Sequence, residues 1–162
     1  MRQTPMRIEQ LTPEFVLKHK SEIAQFYYEN MQMCSFLEHF TYDEAIIKIE
    51  GFINHLKSNT CVGYGLFHED KICGYVWAYP HKFREENRMY INEIRIKDEY
   101  RNRGYGKALL KLVEEKAKEM GIGALYIHAE ADNPGAIRLY EMIGYVLERV
   151  QLRKKIFENK KL

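Results

Sequence analysis

The stretch INEIRIKDEYRNRGYGKALL, residues 91–110, decides how this chain is read. It begins inside an alternating run, Met89 to Ile96 (MYINEIRI), which has the period-2 pattern of a strand. It ends inside a run from Gly104 to Met120 that carries Leu109, Leu110, Val113, Ala117 and Met120 on one helical stripe. Glu114 stands four residues before Lys118, the favourable order for a helical ion pair, and Gly121 stops the run. Between strand and helix lies RNRGYG, Arg101 to Gly106. A helix N-terminus has about four N–H groups without intrahelical partners, and its dipole adds partial positive charge. Glycine lets the backbone come close to a ligand. Arg101, Arg103 and Lys107 add full cations. Together these form an anion site suited to a phosphate or pyrophosphate.

Working outward, Ala124 to Ala129 (ALYIHA) reads as a strand, and Asp132-Asn133-Pro134 starts a helix that runs through Met142. Gly144 ends it, and Tyr145 to Phe157 is expected to supply a last strand and a charged tail. On the other side, Cys61–His68 and Lys71–Tyr79 are strand-like runs around Glu69-Asp70, which predicts a hairpin. Pro80 is expected to end its second strand, leaving His81–Arg88 as a charged connector. Met6–Leu11 alternates weakly as a first strand. Thr12 then N-caps a helix with Pro13 at its first position and Phe15, Ile23, Phe26 and Tyr27 on one face. Asn30–Phe40 is irregular, and Tyr42–Lys57 is a second helix. The order is β-α-α-β-β-β-α-β-α-β. The strands on either side of RNRGYG and its helix form a βαβ unit, so they are parallel, while the hairpin is antiparallel and the sheet is mixed.

Length and composition bound the rest. The 162 residues fit one domain, 1–162. A net charge of +2 argues against a nucleic-acid binder, so any cationic site is local. No secretory apolar region opens the chain and no run reaches membrane-span length, which points to the cytoplasm and away from membranes. With Glu69-Asp70 as the turn, Cys61 faces Ala78 and Cys73 faces Leu66, so Cys34, Cys61 and Cys73 are expected as reduced thiols. The six histidines form no ligand cluster, and no metal site is expected.

Two nucleotide motifs fail on named residues. A P-loop needs Gly at position 101 and Ser or Thr at 108, where this chain has Arg101 and Ala108. A dinucleotide fingerprint finds Gly104 and Gly106 but Leu109 in place of its third glycine. The chain resembles instead the GCN5-related N-acetyltransferase (GNAT) superfamily. The hallmark [QR]-x-x-G-x-[GA] is met by Arg101, Gly104 and Gly106. A second feature, N-x-x-A-x-x-L-Y-x-x-x-G-[FY], is met by Asn133, Ala136, Leu139, Tyr140, Gly144 and Tyr145. Many members have Gly after the Arg, whereas this chain has Asn102.

The resemblance implies the GNAT fold, an α/β architecture on a mixed sheet whose central parallel strands splay apart. It implies acetyl transfer from acetyl-CoA to a primary amine, of a small molecule or a protein, by direct attack in a ternary complex. The loop Arg101, Asn102, Arg103, Gly104, Tyr105, Gly106 and Lys107 would hold the CoA pyrophosphate. The strand end Ile94, Arg95 and Ile96 would pair with the pantetheine arm, and Asn133 would touch the cofactor. Tyr140 matches the tyrosine that protonates the leaving thiolate, and Glu93 stands where relatives carry a base. Tyr90, Asn92, His128 and Glu130 are alternative bases, as is a water chain. Phe36, Tyr79 and Tyr90 are candidate acceptor walls, with Glu38 as an attractor for a cationic amine. A homodimer stays open. The competing function is a non-catalytic acyl-CoA sensor, against which the retained Tyr140 argues.

Overall fold

A computed structural model describes residues 5–34 and 39–156. The elements are β1 (Arg7–Gln10), α1 (Pro13–Lys18), α2 (Lys20–Gln32), α3 (Tyr42–Lys57), β2 (Val62–His68), β3 (Lys71–Phe83), β4 (Glu86–Ile96), α4 (Tyr105–Glu119), β5 (Ala124–Ile127) and α5 (Pro134–Met142). A short 3₁₀ turn, Asp98–Tyr100, joins β4 to the loop before α4. The sheet order is β1-β2-β3-β4-β5, antiparallel except for β4 and β5, which are parallel as the βαβ pattern predicts. The mixed α/β fold class therefore stands.

Helices cover both faces of the sheet. On one side α1, α2 and α3 bury Val16, Ile23, Phe26, Ile49, Phe52 and Ile53 against Phe67, Ile72, Tyr75 and Trp77. On the other, Leu109, Leu110, Val113 and Ala117 of α4 pack on Val62, Val76, Ala78, Met89 and Ile91. Met120 is 48% exposed and leaves the expected stripe, and Ile122 joins the core instead. Glu114 and Lys118 pair at 2.5 Å as their spacing predicts.

Five expectations are corrected. The single helix after Thr12 is two helices that meet at His19, whose ring stacks on Phe15 at 4.3 Å and whose ψ of 18° bends the axis. Helix α2 continues through Asn30–Gln32, into the span expected to be irregular. Pro80 does not end β3, which runs on to Phe83 and pairs with β4 back to Glu86, so the presumed connector is the tip of a second hairpin. Strand β2 ends opposite Ala78, and on that bare edge a residue without an N–H is tolerated. A bulge at Leu66/Phe67 shifts the first hairpin by one residue, so Val62, not Cys61, faces Ala78 and Gly74, not Cys73, faces Leu66. All three cysteines are free.

The fifth correction is the last strand. Residues 145–156 form no strand, and Phe157 lies outside the described residues. A period-2 pattern becomes a strand only beside a ladder partner, and the neighbouring edge strand β5 has four residues. Side chains hold the segment instead. Glu148 accepts hydrogen bonds from both terminal nitrogens of Arg88 at 2.6 and 2.8 Å, and Arg149 lies over the Phe83 ring at 4.1 Å.

Candidate functional site

The site forms where β4 and β5 part. They pair from Arg88↔Ala124 to Ile91↔Ile127 and no further, while β4 continues to Ile96 against β3 alone. A bulge between Trp77 and Ala78 makes Asn92 the extra residue of β4 at the parting. It adds local twist to the strand that leaves its neighbour. Lys97 N–H donates to Cys73 O, so the backbone groups of residues 97, 95 and 93 face β3. Those of Ile94 and Ile96 alternate outward, into the gap. Of the three strand residues expected to line a cofactor arm, the backbones of Ile94 and Ile96 face the gap and that of Arg95 does not.

The loop next to this edge has the geometry of an anion cradle. Asn102 sits at φ 59° and Gly104 at φ 82°. Asn is among the few side chains that tolerate this region, so the turn is made without the glycine common at position 102. No side chain caps α4, which leaves the first-turn N–H groups of Tyr105, Gly106 and Lys107 without helical partners. The three cations divide their roles. Arg101 turns back, donating to Ile96 O at 2.9 Å and Asn30 Oδ1 at 3.2 Å and pairing with Asp98 at 2.9 Å. It braces the loop against β4 and α2. Arg103, 5.9 Å from the Tyr100 ring, and Lys107 stay exposed at the cradle.

On the face covered by α1–α3, Glu93 is only 8% exposed. The Nε of Arg95 donates to its carboxylate at 3.0 Å, and the Tyr27 hydroxyl bonds it as well. Burial raises the Glu93 pKa above the ordinary carboxylate value, and the nearby Arg95 and Lys48 charges oppose that rise. Arg95 also reaches Met31 Sδ at 3.1 Å and lies 5.7 Å from the Tyr27 ring. The neighbouring Tyr75 hydroxyl is buried without a protein partner, and burial with the Glu93 charge pushes its pKa up. Glu93 is thus a buried, paired carboxylate.

Tyr79 and Tyr90 meet at 5.2 Å, and Tyr126 extends the row at 4.7 Å from Tyr90. The Tyr90 hydroxyl and His128 Nδ1 are 3.1 Å apart. Phe36 and Glu38 lie outside the described residues. The α2 end reaches the same region: the Cys34 thiol, raised by burial, also feels Arg95, Glu130 and Asp132.

Tyr140 comes from the opposite face, on α5. It is packed beside Tyr145 at 5.7 Å. Burial raises its pKa, with the Arg95 charge opposing that rise and the Glu93 charge adding to it. Asn133 caps α5 by accepting Ala136 N–H at 3.2 Å, so its Oδ1 serves the helix. Lys48, Trp77, Tyr27 and Tyr126 were missed. One signal was available: Lys48 lies three residues after Ala45 and four before Phe52, on the buried stripe of α3. Among the described residues no group of three or more His, Cys, Asp or Glu is placed to hold a metal, and no helix is long and apolar enough to cross a membrane.

Known proteins share this fold. The Acetyltransferase (GNAT) family profile matches residues 22–145. The uncharacterised N-acetyltransferase YycN of Bacillus subtilis is 31% identical over 88 residues, 54% of this chain and 56% of that protein. A second Bacillus subtilis N-acetyltransferase, YdgE, is 26% identical over 83 residues, 51% of this chain and 53% of its own length. The chain thus spans about half the length of these relatives. Among solved structures, the aminoglycoside N-acetyltransferase AAC(6')-Iy in complex with CoA superposes with a TM-score of 0.73 at 15% identity, covering 96% of this chain and 98% of that one. A GCN5-related N-acetyltransferase of Ralstonia eutropha also gives 0.73, at 17% identity, over 94% and 99%.

Proposed function

Because the chain belongs to the acetyltransferase (GNAT) family, we propose that it transfers the acetyl group of acetyl-CoA to a primary amine by direct attack in a ternary complex. The observation that carries this reading is the open gap beyond Ile91 and Ile127, bordered on one side by the uncapped start of α4. The residues fit the co-substrate. The αL turn at Asn102 and Gly104 brings unpartnered N–H groups together for the pyrophosphate, and the outward backbones of Ile94 and Ile96 suit the amide-bearing pantetheine arm.

In this proposal the amine enters from the face that carries Glu93, Tyr79 and Tyr90. Its nitrogen must be neutral to attack, and Glu93 takes the proton, directly or through water. A raised pKa suits that role, because a base works best near the operating pH. The amine nitrogen bonds to the acetyl carbon and the carbon–sulfur bond breaks. Tyr140 supplies the proton to the departing sulfur from the other face, and the second proton shed by the acylated nitrogen restores its hydroxyl through water. Its raised pKa keeps it protonated at neutral pH. Asn133, as the cap of α5, holds the helix that presents Tyr140.

The reaction is assigned to the cytoplasm, with the described fold acting as one domain. A second copy of the chain is the partner we infer for residues 142–156, where Met142, Val146, Leu147, Val150, Leu152 and Ile156 are 69–90% exposed. Sedimentation of the full chain tests that point. The activity is tested by acetyl-CoA turnover against a broad amine panel, read as free thiol. Saturable acetyl-CoA binding without thiol release for any amine would favour a sensor.

A further inference from the structure

Beside Glu93, on the flank of α3, lies a cavity of about 430 Å³ lined by Lys48, Gly51, His55, Trp77, Tyr79 and Asn92. That size suits a small molecule or the end of a peptide. Trp77 pairs with Glu93 across β3 and β4, and Asn92 is the next residue of β4, so the cavity adjoins the parting.

Its chemistry is one-sided. Trp77 is 4% exposed, and its Nε1–H is buried without a hydrogen-bond partner. The Asn92 amide nitrogen is also buried without one. Lys48 is half-buried. Its ammonium lies 3.4 Å from Asn92 Oδ1, at the long limit of a hydrogen bond, and 5.9 Å from the Trp77 ring. The two buried side-chain nitrogens without partners here are both donors, and Lys48 adds a full cation. Among the described residues that line the cavity none is acidic. Glu93, beside Asn92 on β4, is already held by Arg95 and Tyr27. A cationic acceptor tail would meet Lys48 with like charge. An apolar one would take water from the Lys48 ammonium and offer the two unpartnered donors no acceptor, which is unfavourable.

We propose that the acceptor of this enzyme is an amine whose other end carries a carboxylate, bound in this cavity by Lys48. The amide of Asn92 and the indole of Trp77 supply the polar wall behind it. The inference rests on the acetyltransferase reading above. The two sources of such an acceptor are a free amino acid and the C-terminal end of a short peptide.

The test uses the full chain with L-lysine against L-lysinamide, and alanylalanine against its amide. Parent, Lys48→Gln and Lys48→Arg are compared by thiol release and, in parallel, by the melting shift each probe produces in the presence of CoA. The parent should prefer acid over amide in kcat/KM, mainly through KM, for whichever source fits. Lys48→Gln should reduce that preference about tenfold to a hundredfold, the range for a charge-assisted hydrogen bond. Lys48→Arg should retain it. Equal turnover of acid and amide, or a preference that survives Lys48→Gln, would overturn the acceptor class and leave acetyl transfer standing. A Lys48-dependent melting shift by the acids without turnover would sustain the carboxylate site and sink the acetyltransferase reading. Neither turnover nor shift would sink both.

Discussion

Replacing Arg95 by Met probes the centre of the site. Glu93 is 8% exposed and its carboxylate is bonded by Arg95 at 3.0 Å. Removing one partner of a buried pair typically costs about 3–5 kcal/mol, because the other charge is left uncompensated. Tyr27 and Lys48 remain beside Glu93, which sets the expectation near the lower end, about 3 kcal/mol. For a chain of this size that corresponds to a drop of about 6–12 °C in Tm. The loss should depend on pH, and its sign follows from Glu93. Burial raises its folded pKa above the unfolded value. Between those two values the folded state holds more protons, so stability falls as pH rises through that window. Without Arg95 the opposing influence is gone, the folded pKa climbs further and the window widens upward. The deficit of Arg95→Met against the parent should therefore grow as pH rises. Adding Glu93→Gln should remove most of the pH dependence. Thermal melts of the parent, the two single variants and the double variant from acid to alkaline pH make the measurement. A deficit that is the same at every pH, or one untouched by Glu93→Gln, would show that Arg95 acts by packing on Tyr27 and Met31 and would refute the charge argument.

Tyr140→Phe keeps the ring and removes one oxygen, so melting and acetyl-CoA affinity should hold while kcat falls about a hundredfold, the low end for general acid catalysis; turnover within twofold of the parent would remove Tyr140 from the mechanism. Gly104→Val forces a branched residue into φ 82° at the cradle and should abolish the rise in Tm that acetyl-CoA produces, whereas retained binding would displace the pyrophosphate from this loop. Asn133→Asp keeps an acceptor for Ala136 N–H, so stability should be preserved. Asn133→Ala should lose about 1 kcal/mol, and an affinity change in the Asp variant alone would mark a direct cofactor contact.

The βαβ unit was legible because each of its signals is local. Period 2 in Met89–Ile96, period 3.6 in α4 and the glycines between them need no knowledge of the rest of the chain. The cap of α5 and the ion pair of Glu114 with Lys118 were legible for the same reason. What stayed hidden depends on neighbours. Whether Pro80 ends a strand depends on where β2 stops, and whether Tyr145–Phe157 forms one depends on an edge to pair with. The surroundings of Glu93 depend on Arg95 from its own strand and Tyr27 from a helix far away in sequence. The bulges at Leu66/Phe67 and Trp77/Ala78 leave no mark in composition, yet the second makes Asn92 the extra residue where β4 and β5 part. Lys48 was hidden by its company, since a lysine among Ile46, Ile47 and Ile49 reads as the solvated edge of a helix until Trp77 and Asn92 are seen beside it.

The most direct test of the account is steady-state turnover of acetyl-CoA by the purified chain with an accepted amine, followed as free thiol and by mass spectrometry of the acetylated amine. The account predicts one acetylated amine for each thiol released, with initial rates that fit a ternary complex and no acetyl group carried on the protein. Parallel-line kinetics with a protein-bound acetyl group, or thiol release that does not depend on the amine, would contradict it.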